Sequence, residues 1–553
     1  MEYIFPIAEI EYIFPIAEIE YHIINFLDPL TDFKQLSLVS KYYHEVVTND
    51  KVYIALKDFC LNKPKINFRT NNLREEETNF ILACENNYLL VAKYLHHKYN
   101  QIQHVRINIH VCEELAFRLA CSNGHLEIAT WLYNLGVPNA LSGARLSCLA
   151  LLPTLPCPEM GRLNCSALLP ILPINIHTTN ESPFKFACLY GHSKVAKWLY
   201  RLAKQINSPI DIHESSESVF RCVCENGRLE IAKWLYYLGE KNKSPINIHA
   251  NYEYAFTWAC SNGHLEVAKW LCDLGKEINS PIDIHAVTDN DNGCAFEYCC
   301  EQGHLEIAKW LYRLGIETNS PIDIHTNNEY AFTWACSNGH LEVVKWLYDL
   351  GKEINSPIDI HADTDNNGSA FEYSCEYGHL EVAKWLYHLG IETNSPFDIH
   401  ANDEFAFEYA CCSGHLEVAK WLYHLGIETN SAIDICATDE NAFRWACRNG
   451  HLEVAKWLHF LKIENNSPID IPVYNEYAFR YACENGHLEV TKWLYHLGIE
   501  NNSPIDIHAE NEYAFTNACK NNHLEVAKWL CTLDNKYHIN IDSTTNKIEY
   551  TIN

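Results

Sequence analysis

The phrase Gly-His-Leu-Glu-Val-Ala-Lys-Trp-Leu returns along most of this chain, and that return constrains the fold more than any bulk property does. The cysteine of a recurring Ala-Cys signature falls at 84, 121, 188, 224, 260, 300, 336, 375, 411, 447, 483 and 519. Most steps are 36 residues, with 40 and 39 where loops are longer, and one step, from Cys121 to Cys188, is 67. A fixed period over twelve units means one supersecondary element stacked on copies of itself. Length then adds repeats and does not enlarge a single core.

Residues 253–274 serve as the type unit. At about 100° per residue, Phe256, Ala259 and Cys260 share one face of a first helix, and Gly263 supplies the left-handed residue that ends it. A second helix runs to Gly275. On it only Glu266, Lys269 and Asp273 gather as a polar stripe, so neighbours on both sides must cover the rest. The following Asn-Ser-Pro-Ile-Asp-Ile-His, residues 279–285, mixes turn formers with a short alternating run and reads as a projecting loop or hairpin.

Helix, glycine turn, Gly-His-Leu-Glu-Val helix, Leu-Gly and an Ile-Asp-Ile loop together resemble the ankyrin repeat, a unit of about 33 residues with a β-turn and two helices. The resemblance covers residues 75–536 and implies an all-α solenoid of about twelve helix-turn-helix repeats with short hairpin loops, working by protein binding. Units here run about three residues longer, and Tyr-Ala-Phe-x stands where the family opens with Thr-Pro-Leu-His. Lys-Trp-Leu-Tyr and Asn-Ser-Pro-Ile-Asp-Ile-His on this period are similar to the ankyrin families of mimivirus-like giant DNA viruses, which implies a viral protein acting in the host cytoplasm.

Two segments interrupt the pattern. Residues 140–173 lose the Trp and Gly-His and double a Leu/Pro/Cys phrase, which reads as a degenerate or inserted segment that weakens stacking; its prolines at 153, 156, 158, 170 and 173 exclude one long helix. At the start, residues 2–10 and 11–19 are the same nonapeptide. From Phe14-Pro15 through Ile23-Ile24-Asn25-Phe26-Leu27-Asp28 and Leu36-Ser37-Leu38-Val39-Ser40-Lys41, residues 1–60 resemble an F-box. That resemblance implies docking on a Skp1-type adaptor of a cullin ubiquitin ligase, with Pro15, Ile19, Ile24 and Leu27 supplying the apolar contacts. The alternative is that these helices cap the exposed apolar end of the array. Residues 537–553 read as a C-terminal tail.

Charge and cysteine usage exclude several functions. With 42 Lys and Arg against 71 Asp and Glu, a formal charge of −29 repels phosphate backbones and anionic membrane surfaces. Nucleic acid is therefore not an expected ligand. No stretch reaches about 18 uninterrupted apolar residues, and the start lacks the basic region of a signal peptide, so an intracellular monomer off the membrane is expected. Half of the 24 cysteines occupy the one repeat position beside Ala, as small packed thiols do. Cys260 and His264 recur as a pair without the four-ligand spacing of structural zinc, and the loop 363–368 starts like an EF-hand but has Ser374 at its twelfth position. No metal, cofactor or catalytic residue is expected.

Binding is expected on the first helices. Tyr254 and Trp258 lie one turn apart, opposite the Phe256 face, and the pattern returns as Tyr330 with Trp334, Phe405 with Tyr409, Trp445, and Tyr477 with Tyr481. Such a ladder suits protein partners, since Trp and Tyr dominate interface hot spots; packing on neighbouring repeats is the other reading. The position between them varies as Thr257, Glu297, Thr333, Glu372, Glu408, Arg444 and Arg480, which suits partner selection. The resulting expectation is a substrate-recruiting adaptor for a ubiquitin ligase, against a plain scaffold or inhibitor that sequesters its partner.

Overall fold

The computed structural model describes residues 75–102, 107–136, 173–287, 293–362, 369–464, 471–541 and 547–552. Pro15, Ile19, Ile24 and Leu27, nearly all of 140–173 and the loop 363–368 lie outside the described residues. Among those described, 24 helices alternate as pairs, giving an all-α solenoid of helix-turn-helix repeats. The chain divides into two compact units, residues 1–251 and 252–553. The linkers expected as hairpins form turns, and the described sheet is a two-stranded one at the C-terminus.

Within each unit, a repeat completes the core of the one before it. In the first unit Phe184 is fully buried and meets Trp234 of the next repeat at 6.2 Å, while Tyr200 meets the same indole edge-on at 6.0 Å. The second unit repeats the device, with Phe296 and Tyr312 against Trp346 at 6.2 and 6.4 Å. Lys-Trp-Leu-Tyr thus encodes one ring that reaches back and one that waits for its successor. Aromatic pairs of this kind contribute about 0.5–1.5 kcal/mol beyond area burial. Ala335 and Cys336, both fully buried, fill the narrow space beside the phenylalanine.

The Gly-His phrase proves to be one contact split over two repeats. Gly339 has φ +78°, and a Cβ there would lie 2.3 Å from Nδ1 of His379 in the next repeat. The His379 ring also bonds the backbone of Ser337. In the first unit His125 Nε2 donates to the carbonyl of Glu85 at 2.8 Å, and where Arg228 replaces the histidine its Nε donates to the Leu189 carbonyl at 3.0 Å. Burial lowers the pKa of His379 first, and the neighbouring His415 and His340 lower it further. His304, His340, His415, His451 and His487 shift the same way, burial being the largest cause.

Two of the segments singled out in the sequence have described neighbours. The repeats flanking 140–173 stack directly on each other: Asn175 N–H donates to Glu114 Oε1 at 3.2 Å, and Phe117 meets Trp198 at 6.3 Å. Stacking survives because the extra sequence falls between an outer helix, Leu126–Gly136, and a linker, where loop length costs little. Within the segment read as a C-terminal tail, residues 537–541 and 548–552 form a hairpin. Tyr537–Ile541 pairs antiparallel with Ile548–Ile552, Tyr537 stacks on Phe515 at 4.1 Å, and its hydroxyl donates to Glu512. The hairpin supplies the neighbour that the last repeat lacks.

Gly339→Ala should destabilise its repeat by about 2 kcal/mol or more, combining a positive-φ penalty with overpacking against the histidine. Gly191→Ala, which faces the flexible Arg228 side chain at 3.3 Å, should cost less. Urea unfolding of both variants checks this, and equal losses would contradict the contact. The histidine column makes a second prediction. Its folded pKa values lie below that of an unfolded imidazole, about 6.5, so the native state binds fewer protons and its stability is lost as pH falls below that value. The thermal midpoint should drop between about pH 7.5 and 5.5, less so in His379→Gln, and a flat profile would refute the role.

Candidate partner-binding surface

The inner helices begin with an element the sequence reading did not anticipate. Asn327, Asn328 and Glu329 take φ values of 51°, 59° and 64°, a left-handed turn at the head of Thr326–Ser337. The same turn opens the helices at 112–114, 179–181, 215–217, 402–404 and 510–512. For L-residues this backbone costs roughly 1–2 kcal/mol per residue, least for Asn and Asp. A buried glutamate offsets the cost. Glu329 Oε1 accepts from His325 Nδ1 at 2.8 Å and from the backbone N–H of Asp359, in the next repeat, at 3.0 Å. Glu404 does the same with His400 at 2.8 Å and Asp434 at 3.0 Å. In the first unit Glu217 binds His213 at 2.9 Å and the Asn247 N–H at 3.3 Å. A carboxylate only accepts, so it holds each of these imidazoles with its proton on Nδ1.

Departures from the pattern keep this chemistry. Where Cys436 replaces the histidine, Glu440 pairs instead with Lys462, a buried lysine standing where other repeats have the glycine of Leu-Gly. In the two repeats with longer loops the entry is an extended cap, with Cys294 N–H on Glu297 and Ser369 N–H on Glu372, each at 2.7 Å. Glu297 then accepts from Thr326 and Asn327 of the next repeat at 2.7 and 2.9 Å, and Glu372 from Asn402 at 3.1 Å.

By ending at Glu329, the turn starts the right-handed helix at Tyr330 and sets Tyr330 and Trp334 one turn apart. Their rings meet at 5.7 Å, and Trp334 stacks on Tyr373 of the next repeat at 6.2 Å. Tyr254 and Trp258 meet at 5.7 Å, and Trp258 stacks on Tyr298 at 5.8 Å. Tyr409 stacks on Phe405 at 4.0 Å; Tyr477 and Tyr481 meet at 4.2 Å, and Tyr481 reaches Tyr513 at 5.7 Å. Trp445 lies beneath the guanidinium of Arg448 at 4.5 Å. The eight rings expected as the ladder, Tyr254, Trp258, Tyr330, Trp334, Tyr409, Trp445, Tyr477 and Tyr481, are half-buried; Trp258, Trp334, Tyr477 and Tyr481 meet side chains of a neighbouring repeat.

The variable position between them is narrower in scope than expected. Thr257, Thr333, Glu297 and Glu372 are buried, the glutamates within the inter-repeat bonds above. Glu408, Arg444 and Arg480 remain half-exposed. There charge and aromatics interleave, with Arg444 over Tyr477 at 3.8 Å and Arg480 over Tyr513 at 5.4 Å. Sequence reasoning missed Phe186 and Tyr190 in the first unit, which stack at 6.0 Å while 38 % and 51 % exposed. Their four-residue spacing was visible, but they start one turn later than the Tyr-x-x-x-Trp pattern.

Burial pushes the thiols of the cysteine column well up, as at Cys336 and Cys411. The histidine four residues after Cys336 turns its ring to the Glu301 backbone of the preceding repeat. Among the described residues no three His, Cys, Asp or Glu side chains are grouped to hold a metal ion, and no helix is long and apolar enough to cross a membrane.

Comparison with known families agrees with this geometry. One family model, ankyrin repeats in three copies, matches residues 219–322, 320–397 and 443–545, and a second, ankyrin repeats in many copies, matches 406–459. Together they span more than half of the chain. No curated protein matches it.

Proposed function

Because this chain belongs to the ankyrin-repeat family, whose repeats are protein-interaction modules, we propose that it grips a protein partner along the aromatic ladder of its inner helices. The observation that carries this reading is the pairing of Tyr254 with Trp258 and of Tyr330 with Trp334, rings locked by stacking yet half-open. Rigid aromatics lose little entropy on binding and dominate interface energies. The arginines at 444, 448 and 480 give the C-terminal part of the ladder a different chemistry, which suits selection of one partner over another. No catalytic step belongs to this reading.

The finer part of the proposal is that residues 1–60 recruit a cullin-type ubiquitin ligase, so that the partner becomes its substrate in the cytoplasm of a virus-infected host cell. Support comes from the Phe-Pro, Ile-Ile-Asn-Phe-Leu and Leu-x-x-Val-Ser-Lys phrases that resemble an F-box, with Pro15, Ile19, Ile24 and Leu27 as the apolar anchors. The second reading is a scaffold that sequesters the partner, with the same residues acting as a cap.

One capture experiment tests both levels. Trp258→Ala with Trp334→Ala should cut recovery of the cellular partner at least tenfold, since each buried anchor at an interface is worth roughly 2 kcal/mol or more. Ile24→Ala with Leu27→Ala should abolish recovery of the Skp1-type adaptor and leave the partner bound. Wild-type protein that retains no adaptor would leave the scaffold, and undiminished capture by the tryptophan variant would refute the ladder.

A further inference from the structure

The outer helices of the second unit carry exposed apolar side chains that neither the core nor the aromatic ladder uses. Leu380–Glu392, Leu416–Glu428, Leu452–Glu464 and Leu488–Glu500 belong to four consecutive repeats. Each ends on Ile-Glu, with the isoleucines at 391, 427, 463 and 499, one period apart. Those isoleucines are 50–58 % exposed, and Phe460, one turn before Ile463, adds an open ring at 53 %. Neighbouring outer helices touch, Tyr423 meeting Trp457 at 5.9 Å and His459 meeting Trp493 at 6.0 Å, so the isoleucines follow one another at the helix spacing. A single exposed isoleucine is ordinary, whereas four in register with a phenylalanine among them form a surface that a partner covers.

The glutamate beside each isoleucine has no local cause. A carboxylate at a helix C-terminus faces the negative end of the macrodipole, where a lysine is favoured. The lysines of these helices are drawn to the opposite end: Lys384, Lys420, Lys456 and Lys492 pair with first-turn Glu381, Glu417, Glu453 and Glu489 at 2.9–3.5 Å. Lys462, in the last turn of its helix, is buried against Glu440. His388, His424 and His496, one turn before Glu392, Glu428 and Glu500, meet the tyrosines beside them. Among the described residues the four terminal glutamates enter no ion pair, and all four are exposed. Earlier in the unit Lys276 and Lys352 precede the terminal glutamate, so the uncompensated row begins at Glu392. A local rule broken in four successive repeats, beside open apolar side chains, points to binding.

We propose that this outer row docks a basic amphipathic helix of a partner protein. Packed helices stand about 8–10 Å apart, and seven residues of an α-helix rise about 10 Å. A helix laid across the row with an apolar side chain at every seventh position therefore meets one isoleucine per repeat, with its central anchor on Phe460 and Ile463. Lysines and arginines flanking that stripe reach the unpaired glutamates. The net charge of −29 draws the same partner in from a distance, so contact chemistry and long-range field agree.

The test titrates the full-length chain into fluorescein-labelled helical peptides of three heptads, with Leu at every seventh position and Lys or Arg beside it. Twins replace the cations by Gln or Glu, or the leucines by Ala. Fluorescence anisotropy should show the basic, leucine-bearing peptides binding at least tenfold tighter than every twin, and more weakly as salt rises. Phe460→Ala with Ile463→Ala should weaken binding at least tenfold at an unchanged thermal midpoint, since both side chains are exposed. Glu428→Lys with Glu464→Lys should weaken it as much while the midpoint holds or rises, because a cation suits that helix end; a lowered midpoint would make the glutamates structural and overturn the proposal. Trp258→Ala with Trp334→Ala should bind the peptides as wild type does, which keeps failure here distinct from failure of the ladder; weakened binding in that variant would merge the two surfaces and overturn the proposal. A panel that does not bind, Glu twins that bind as well, a folded Phe460→Ala, Ile463→Ala variant that binds as wild type, or sedimentation showing a dimer that this variant dissociates, so that a second copy covers the row, would each overturn it too.

Discussion

A carboxylate buried in one repeat and hydrogen-bonded by the next is the interaction on which the rest of this structure depends. Burying an unpaired charge costs several kcal/mol, and a left-handed turn of three L-residues adds to that cost. Neither can be borne by a single repeat, because Glu329 finds its second donor only in Asp359 and Glu404 only in Asp434. The glutamate therefore forbids an isolated repeat and sets the register between neighbours. Phe against Trp and Gly against His then close the same interface at two other levels. Cooperativity between adjacent repeats follows from these bonds, while distant repeats share none of them.

That arrangement explains why substitutions in the frame come in matched sets. Arg228 stands in for the column histidine and still reaches the preceding carbonyl. Lys462 appears where Cys436 has removed the histidine, and the longer loops bring a glutamate at 297 or 372 that serves the following repeat from a different position. With the frame so held, side chains on the inner helices are free to differ. The half-open aromatic ladder of the second unit is such a surface, with arginines interleaved only towards its C-terminal part.

Much of this was legible in the sequence. The period gave the helix pairs, the Phe256-Ala259-Cys260 spacing gave the buried face, and Gly263 marked the end of the first helix, where its φ is +83°. What was hidden depended on partners one period away. Nothing local says that the ring of His379 fills the space left by Gly339, or that Glu297 is hydrogen-bonded by Thr326 and Asn327 of the next repeat. The left-handed turns were hidden for another reason. Positive φ is usually signalled by glycine, whereas Ser215-Ser216-Glu217 carries none and holds its shape through hydrogen bonds from other segments. Asn or Asp at 180, 327, 328, 402, 403 and 511 was the local hint. The C-terminal hairpin was missed because Tyr537 acts as a neighbour only when folded back on Phe515.

Amide hydrogen exchange in Glu329→Ala tests the claim of neighbour coupling most directly. A charge-assisted bond is worth about 1.5–3 kcal/mol, so the Asp359 amide should exchange roughly ten to a hundred times faster than in the wild type. Amides around Cys519, several repeats away in the same unit, should keep their rates. An Asp359 amide whose exchange is unchanged, or a loss of protection spread evenly over the unit, would contradict the account.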